Sequence, residues 1–251
     1  MKPLVSDYMY LKTFSRTGYG ERYIEKHPDI FPLYPSETLA GIVADITADG
    51  HIGKCLVQFI AKNERDLYFF QNRISKIFGV RGKIRTSPSN PSVKECLIGC
   101  NSISKILRLC GAPYGAKVMQ EFEVPKWILN GSRGVKTSYL KRLFDCEGSV
   151  IQQRKRVRMV FKMHKRNELL ENHEKYLNQL RGMLAEFNVK TTKPYRVGYT
   201  LRKDGIKTIG LAFEILGTRK TPDSVISYHK HIGFDNRRKK ERLNNYIKRI
   251  T

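Results

Sequence analysis

The chain carries the same order of sequence signals twice, and this internal repeat constrains its fold more than any other feature. An apolar stretch closes on an acid and a glycine at Asp49-Gly50, and again at Glu147-Gly148. Each pair is followed by an alternating polar and apolar stretch, a segment with helical periodicity, and a second alternating stretch. A repeat of this kind predicts that one supersecondary unit is used twice.

Each half is predicted to contain a helix, two strands, a second helix, two more strands and one or more short helices. Apolar residues at steps of three and four predict the second helices over residues 66–80 and 172–189. Turn signals at Ser89-Asn90-Pro91 and at Asp204-Gly205 predict a second hairpin in each half. Short helices are expected over residues 102–109 and 223–229. The predicted fold class is therefore α+β.

The repeat divides the chain into five segments. Residues 1–35 match neither half and are expected to form an N-terminal extension that is partly helical. The first repeat covers residues 36–110, and the second covers residues 137–235. Residues 111–136 contain several Gly and Pro residues and the only tryptophan, Trp127, so they are predicted to be a structured linker rather than a flexible tether. Residues 236–251 form a basic C-terminal segment.

Basic residues outnumber acidic ones by a wide margin. The 47 Lys and Arg residues and the 23 Asp and Glu residues give a formal net charge of +24. A compact protein with such an excess repels itself unless a polyanion is its normal partner. The basic residues recur through both halves, which favours a broad folded surface for nucleic acid over a disordered basic arm.

The sequence argues against a membrane-spanning or a secreted protein. No apolar run approaches the roughly 18 to 20 residues that span a bilayer, and Pro3 and Asp7 interrupt the stretch where a secretory signal has its apolar core. The cysteines are odd in number and show no disulfide framework. Of these, Cys96 and Cys100 are expected to be buried strand residues rather than zinc ligands. We therefore expect an intracellular protein, cytoplasmic in a prokaryote or organellar.

A carboxylate stands near the end of the predicted first helix of each half. Ser36 is a suitable N-cap for the first of these helices. Gly50 is expected to end it in the left-handed conformation, as Gly148 does after Glu147. A carboxylate at a helix C-terminus faces the negative end of the macrodipole, at a cost on the order of several tenths of a kcal/mol. A divalent cation bound by the carboxylate and the helix-end carbonyls would reverse this cost.

Small residues line one side of the first helix. Ala40, Ala44 and Ala48 recur every four residues, which predicts close approach of another helix backbone, that of the corresponding helix in the second half. On the equivalent stripe of that second helix two of the three residues are small and the third is Arg142. With the two helices side by side, the two acids would emerge together, as a cut through both strands of a duplex requires.

Each of these signals has an ordinary explanation when it is taken alone. An Asp-Gly pair is a common turn, and small residues in a helix are usual in a tight core. A single basic residue is as often a solvated surface charge as a ligand contact. The functional interpretation depends on the combination of two acid-glycine pairs, a lysine after the next strands in both halves, and high positive charge.

The stretches LAGIVADITADGHI and YLKRLFDCEGSV resemble the LAGLIDADG motif of homing endonucleases, in the form that carries two motifs on a single chain. The resemblance covers roughly residues 36–235, and GAPYGAKVMQEFEVPKWI is similar to the connector between such halves. It implies a pseudo-symmetric tandem of αββαββα units, whose two four-stranded antiparallel sheets form a DNA-binding saddle over the major groove.

The resemblance also implies the catalytic groups. The last acid of each motif binds catalytic metal, here Asp49 and Glu147 together with the backbone carbonyls of Ala48 and Cys146. Two or three Mg²⁺ ions are expected, with Mn²⁺ or Ca²⁺ able to substitute in binding. A lysine near the end of the second strand assists the chemistry. The lysines that the repeat places there are Lys62, 13 residues after its acid, and Lys165, 18 residues after its acid.

The predicted strands supply candidate contacts to DNA bases and phosphates. Successive side chains of a strand alternate between faces, so basic and amide residues two apart can point together into a major groove, where Arg and Lys read guanine and Gln reads adenine. A longer, basic hairpin is expected in the second half, around QQRKRVR. The candidate contacts are Lys54, Gln58, Lys83, Arg85, Gln152, Arg154, Arg156, Arg158, Lys193, Arg196, Arg202 and Lys203.

The sequence therefore predicts a monomeric, intron-encoded, site-specific endonuclease that hydrolyses both strands of DNA at a long asymmetric target and leaves short 3′ overhangs. One alternative is a maturase of the same fold that binds intron RNA. Another is a transcription regulator that binds DNA without cutting it, which the presence of both acids argues against. An intein is disfavoured, because the sequence begins with Met1 and ends at Thr251 without the nucleophile and the His-Asn end that protein splicing needs.

Overall fold

The structure is a computed structural model that describes residues 2–7, 23, 26–153, 156–202, 204–218 and 220–250. The predicted DNA contacts Arg154 and Lys203 lie outside the described residues, as do the side chain of Arg156 and part of the predicted N-terminal extension. The chain forms two compact units. The first comprises Met1–Gly115 and Asn130–Val135, and the second comprises Ala116–Leu129 and Lys136–Thr251.

The first unit contains a four-stranded antiparallel sheet with strand order β1-β2-β4-β3. Its elements are helix α1 (Glu37–Thr47), strands β1 (Gly50–Ile52) and β2 (Val57–Ala61), helix α2 (Glu64–Phe78), strands β3 (Lys83–Ser87) and β4 (Asn90–Ile98), and helix α3 (Asn101–Leu109). Ser36 caps α1 as predicted, since its hydroxyl accepts a hydrogen bond from the Leu39 amide at 3.2 Å.

The second unit repeats this order, with strand order β5-β6-β8-β7 in its own antiparallel sheet. Its elements are helix α4 (Lys126–Leu129), helix α5 (Arg133–Glu147), whose first three residues are counted with the first unit, strands β5 (Gly148–Gln153) and β6 (Arg156–Arg166), helix α6 (Leu170–Ala185), strands β7 (Tyr195–Leu201) and β8 (Lys207–Thr218), and helices α7 (Asp223–His231) and α8 (Arg237–Ile250). The predicted α+β fold with two four-stranded antiparallel sheets is confirmed.

One face of each sheet is covered by the helices of its own unit, and aromatic residues fill the space between. In the first unit the rings of Phe59 on β2 and Phe70 on α2 stack with centroids 4.9 Å apart. In the second unit Phe161 on β6 lies 5.1 Å from Phe144 on α5 and 5.4 Å from Phe213 on β8. We call the opposite face of each sheet its outer face.

The glycine after each helix-end acid is needed for close packing. A Cβ atom added to Gly50 would lie 2.7 Å from the Ile46 Cα, and one added to Gly148 would lie 2.5 Å from the Phe144 carbonyl oxygen. Neither Gly50 nor Gly148 has a positive φ, so the expectation of left-handed glycines was wrong. Each sheet instead begins so close to its preceding helix that a side chain does not fit.

The segment between the repeats is bound to the second unit. It contains a 3-10 turn at Lys117–Met119 and helix α4. The Phe122 amide donates to the side-chain oxygen of Asn172 at 3.1 Å, and the Val124 amide donates to that of Gln179 at 2.8 Å. Both acceptors lie on α6, so these residues are held as part of that unit.

The basic C-terminal segment is an amphipathic helix, α8. Its Leu243 and Tyr246 are buried, and Arg242 donates from Nη1 to the Val150 carbonyl at 3.2 Å. This helix therefore belongs to the second unit. Within the part of the chain that the structure describes, every helix is too short or too polar to cross a membrane.

Candidate metal site and nucleic-acid interface

The two predicted metal-binding acids stand where a buried helix passes into the first strand of its sheet. Helix α1 is buried from Leu39 to Thr47, and Asp49 follows it as an exposed residue directly before β1. Helix α5 runs to Glu147, which is half-buried and directly precedes β5. Carboxylate and carbonyl oxygens are the ligands that Mg²⁺ and Ca²⁺ take from proteins. The donor chemistry at both helix ends therefore fits a hard divalent cation.

The carbonyl end of α5 already accepts a cation from the protein itself. The Lys239 ammonium, from α8, donates to the carbonyl oxygens of Phe144 at 3.0 Å, Asp145 at 2.5 Å and Cys146 at 3.3 Å. A positive charge is favourable at the negative end of a helix. A metal bound to the Cys146 carbonyl would have to share that oxygen with Lys239.

A second contact ties the last turn of α5 to the start of α8. The Asp145 carboxylate is buried, pairs with Arg142 at 2.7 Å, and accepts hydrogen bonds from the backbone amides of Asp235 and Asn236. Burial raises the pKa of Asp145 to about 6, against the lowering effect of Arg142. The bulky member of the predicted small-residue stripe, Arg142, is thus engaged in an ion pair of its own unit.

Among the residues that the structure describes, no three His, Cys, Asp or Glu side chains form a cluster that could hold a metal ion. A cation at Asp49 or Glu147 would therefore need oxygens from the backbone, from water or from a phosphate to complete its shell.

The predicted equivalence of Lys62 and Lys165 is wrong. In the first sheet Gly50 pairs with Phe59, and in the second Gly148 pairs with Phe161. Counting three residues on from each phenylalanine leads to Lys62 in the first unit and to His164 in the second. The second hairpin is longer, as predicted, but its lysine is displaced by one position, and a shift of one residue moves a side chain to the other face.

Lys165 is accordingly buried on the helix-covered side of its sheet. It continues the series Val157, Met159, Phe161 and Met163, all of which are buried. Its ammonium donates to the Gln120 carbonyl and lies 3.7 Å from the centroid of the Phe122 ring. Burial lowers the pKa of Lys165 to about 8. Lys62, in contrast, is exposed just beyond the end of β2.

His164 occupies the outer-face position that Lys62 has in the first unit. It pairs with Gly210 on β8, where an added Cβ would lie 3.0 Å from the imidazole Cε1 atom. The glycine therefore makes room for the ring. Burial, helped by the charge of Lys162, lowers the pKa of His164, so the imidazole is neutral at physiological pH.

Three of the predicted DNA contacts lie on the outer face of the first sheet. Gln58 on β2 and Lys83 and Arg85 on β3 share this face, because their strand partners Leu97 and Glu95 alternate with the buried Cys96 and Ile98. Lys54 is exposed in the turn between β1 and β2. The predicted common direction of Lys83 and Arg85 is confirmed, and the contact of these residues with DNA stays a prediction.

The predicted contacts of the second unit are divided between the two faces. Arg158 lies on the outer face. Gln152 pairs with the buried Val157 and Arg196 pairs with the buried Leu211, so both alternate toward the helix-covered side. Arg196 is nevertheless exposed on the edge strand β7, and the contact of both residues with DNA stays a prediction.

Two further predicted contacts lie outside the sheet strands. Lys193 is exposed in the segment before β7, and Arg202 is exposed in the turn between β7 and β8. Arg202 pairs with Asp204 of the same turn at 3.1 Å.

Two glutamates on the outer faces were missed by the sequence analysis. Glu95 and Glu214 are buried beside Arg85 and Arg158, respectively, and pair with them. A signal was present for Glu214, which stands between Phe213 and Ile215 in a strand, where a carboxylate needs a partner. Cys96, as predicted, is buried in β4, whereas Cys100 is half-buried and precedes α3 rather than lying in a strand.

The second half of the chain matches a known protein family by sequence. Residues 134–233 match the family model described as a LAGLIDADG-like domain. The tRNA-splicing ligase RtcB of Methanocaldococcus jannaschii is 34% identical over 214 residues, which are 74% of this chain and 22% of the relative. That of Pyrococcus abyssi is 30% identical over 169 residues, which are 62% of this chain and 18% of the relative. The chain spans about a fifth of the length of the curated relatives it matches.

Among solved structures, mesophilic variants of the homing endonuclease I-DmoI share the fold. The superposition has a TM-score of 0.52 at 14% sequence identity and covers 83% of this chain and 97% of that one. At this identity the similarity is one of architecture, and it extends over both units of the chain.

Proposed function

We propose that this chain, a LAGLIDADG protein with two copies of the motif, is a metal-dependent endonuclease that cuts both strands of duplex DNA at a specific site. The observation that carries the proposal is the placement of Asp49 and Glu147. Asp49 follows α1 and Glu147 is the last residue of α5, and each directly precedes the first strand of a sheet whose outer face bears basic side chains. A helix end is an unfavourable place for a carboxylate unless a cation binds there.

The proposed ligands are the carboxylates of Asp49 and Glu147 with the carbonyls of Ala48 and Cys146. A bound Mg²⁺ would activate water and stabilise the departing 3′ oxygen, with Mn²⁺ as a substitute and Ca²⁺ supporting binding. We assign one acid to each DNA strand. The protein's part is to hold the two carboxylates in place, which the anchoring of α5 by Asp145 and Lys239 provides for Glu147.

Lys62 is proposed to offset the negative charge that grows on one scissile phosphate. In the second unit the equivalent position holds the neutral His164. A neutral imidazole donates a hydrogen bond but brings no full charge, so the two strands are expected to be cut at unequal rates. We withdraw Lys165 from this role because its ammonium is buried on the opposite side of its sheet.

DNA binding is assigned to the outer faces of the two sheets. Lys83 and Arg85 on one sheet and Arg158 and Lys162 on the other provide exposed positive charge, and the net charge is +24. The two faces carry different side chains, so a single chain would read an asymmetric site. Affinity is expected to fall steeply as salt is added, because phosphate contacts release counterions.

The target can be found before cleavage is tested. The 251-residue chain is incubated with a pool of randomised DNA duplexes in Ca²⁺, and the bound sequences are recovered and cloned into a plasmid. Cutting of that plasmid is then measured with Mg²⁺ for the wild type, Asp49→Asn, Glu147→Gln and the control Glu171→Gln, an exposed acid on α6.

Each helix-end variant should lose double-strand cutting and keep most of its affinity, while Glu171→Gln should cut normally. Full cutting by Asp49→Asn or Glu147→Gln would show that these acids do not hold the metal.

One observation favours a second candidate, a DNA-binding protein that does not cut. The Lys239 ammonium donates to the carbonyls at the end of α5. It supplies the positive charge that favours a helix end, which a protein without a metal ion would have to take from a side chain. Sequence-specific binding with no Mg²⁺-dependent cleavage would support this candidate. The ligase activity of the RtcB relatives is not proposed here, because the matched region is about a fifth of their length. Intron RNA stays an alternative partner, and competition by RNA in the same binding assay tests it.

A further inference from the structure

A carboxylate on the outer face of the first sheet holds an arginine by its Nε edge. Glu95 on β4 is 2% exposed. Its Oε1 accepts from the Nε of Arg85 at 2.7 Å, and its Oε2 accepts from the amide nitrogen of Gln58 at 2.5 Å. Both carboxylate oxygens are thereby engaged, and the Arg85 side chain still remains 47% exposed.

The second sheet has the same arrangement with different neighbours. Glu214 on β8 is 5% exposed, and its two oxygens accept from the Nε of Arg158 at 2.8 Å and from an Nη2 of the same guanidinium. The Tyr195 hydroxyl also donates to Glu214. The hydrogen bond from Arg158 lowers the pKa of Glu214, while the Arg158 side chain is 40% exposed.

The two glutamates do not occupy equivalent positions of the repeat. The pairs Phe59 with Cys96 and Phe161 with Phe213 align the two sheets, and on this alignment the counterpart of Glu95 is Ala212. The same contact between a buried glutamate and an exposed arginine is therefore built at two different registers.

A buried carboxylate weakens any surface that binds a polyanion, so each glutamate needs a reason to be there. Arginine loses about 2 kcal/mol of rotamer freedom when it is fixed on binding. An acid that fixes the guanidinium beforehand removes that cost and also sets its direction. With the Nε edge bound to the glutamate, the exposed end of the guanidinium keeps Nη1 and at least one N–H of Nη2, which can donate two parallel hydrogen bonds.

The neighbours of Arg158 indicate that this end faces bases rather than phosphates. Ile151 on β5 and Leu216 on β8 lie on either side of Arg158 in the same cross-strand row, and they are 38% and 48% exposed. Apolar side chains gain nothing beside a phosphate but fit the C5-methyl group of thymine in the major groove.

We propose that Glu95 and Glu214 are positioning residues that hold Arg85 and Arg158 for two-pronged contacts with guanine, one base pair for each arginine. The inference rests on the proposed DNA binding and adds the residues that set base preference. The acids act through the arginines and do not touch the DNA.

The test compares base preferences selected from the pool of randomised duplexes. Arg158→Lys and Glu214→Gln should lose guanine preference at one and the same position, and Arg85→Lys and Glu95→Gln at a second position, each by about tenfold or more. The slope of log affinity against log salt should stay that of the wild type, because no phosphate contact is removed. Glu241→Gln, which removes the exposed acid partner of Arg237 on α8, should leave every preference unchanged.

The arginine variants keep the test decisive where a glutamate variant does not fold, since Arg→Lys retains the charge and the sheet. Circular dichroism and thermal unfolding identify such a failure. Unchanged preferences in the lysine variants or in a folded Glu95→Gln or Glu214→Gln variant, or a uniform loss of affinity with a shallower salt slope, would overturn the inference. A wild-type chain that enriches no sequence at all would contradict the DNA-binding function itself.

Discussion

Lys62 and His164 occupy the same register position in the two sheets, three residues beyond the phenylalanine that pairs with the glycine after each helix-end acid. One unit thus presents an exposed ammonium and the other a neutral imidazole at this position. The two units have the same order of helices and strands but differ in the charge of the side chain at this position.

This difference predicts unequal strand cutting. Lys62→Met should slow cleavage of one strand by roughly 100-fold and leave the other close to its wild-type rate, whereas His164→Lys should accelerate the second strand. Rates are measured on duplexes labelled at one end of either strand. Lys76→Met, which changes an exposed lysine on α2, serves as the control, and equal slowing of both strands by Lys62→Met would refute the assignment.

Lys165 should affect stability more than cleavage. Its pKa falls from 10.5 to about 8 in the folded protein, so between these values the unfolded chain binds more protons. Stability therefore rises with pH through this window. Lys165→Met, which keeps the apolar stem, should remove that rise, as followed by urea unfolding at pH 7 and pH 10. A pH response equal to the wild type would contradict the buried location.

The buried His173 is expected to make the folded protein less stable in acid. The residue is buried, neither ring nitrogen has a hydrogen-bond partner among the described residues, and burial, with the nearby charges of Lys165 and His164, lowers its pKa to about 3. Below pH 6.5 the unfolded chain takes up a proton that the folded protein resists. Stability should therefore fall as pH drops from 6.5, by at most about 1.4 kcal/mol per pH unit.

His173→Leu should flatten this acid slope in urea titrations between pH 7 and pH 4. The exposed His229→Leu change on α7 is the matched control. A flattened slope in the control, or an unchanged slope in His173→Leu, would argue against burial as the cause.

Gly50 and Gly148, at the two helix-to-strand junctions, should not tolerate replacement by a residue with a side chain. Gly148→Ala would place a Cβ 2.5 Å from the Phe144 carbonyl, and such overpacking costs about 1–3 kcal/mol. Gly53→Ala is the control, because its Cβ would meet nothing nearer than 3.8 Å. Thermal unfolding should show a loss for Gly148→Ala and little change for Gly53→Ala, and similar melting temperatures would disprove the proposed crowding.

Lys239 should influence both folding and metal use. Lys239→Met leaves three helix-end carbonyls without their ammonium partner, which should lower the stability of the second unit by about 1–3 kcal/mol. It should also reduce the Mg²⁺ concentration at half-maximal cutting, since a cation no longer competes for the Cys146 carbonyl. Lys240→Met provides an exposed comparison on the same helix. An unaltered Mg²⁺ requirement would show that Lys239 does not compete with the metal for the Cys146 carbonyl.

The sequence was sufficient for the order of elements and for the local signals at their ends. Ser36 caps α1, and Gly205 has a φ of 77° in the turn predicted at Asp204-Gly205. These features depend on contacts between residues a few positions apart, where residue type and spacing decide the outcome.

Side-chain direction was predicted less well, because it depends on register. Aligning the halves on their lysines placed Lys165 on the wrong face, although the apolar residues at every second position of β6 would have shown its direction. The contact of Glu214 with Arg158 joins residues 56 apart, and that of Lys239 with the end of α5 joins residues more than 90 apart. No spacing rule reaches that far.

The glutamate–arginine pairs limit how the proposed DNA sequence preference of the protein can be changed by mutation. Replacing Arg158 alone by an uncharged residue would leave the buried Glu214 carboxylate with the hydrogen bond from the Tyr195 hydroxyl but without the charge of its arginine, and an uncompensated buried charge costs about 3–5 kcal/mol. A redesigned recognition surface must therefore exchange arginine, acid and hydroxyl together, as one cassette drawn from two neighbouring strands and the edge strand beyond them.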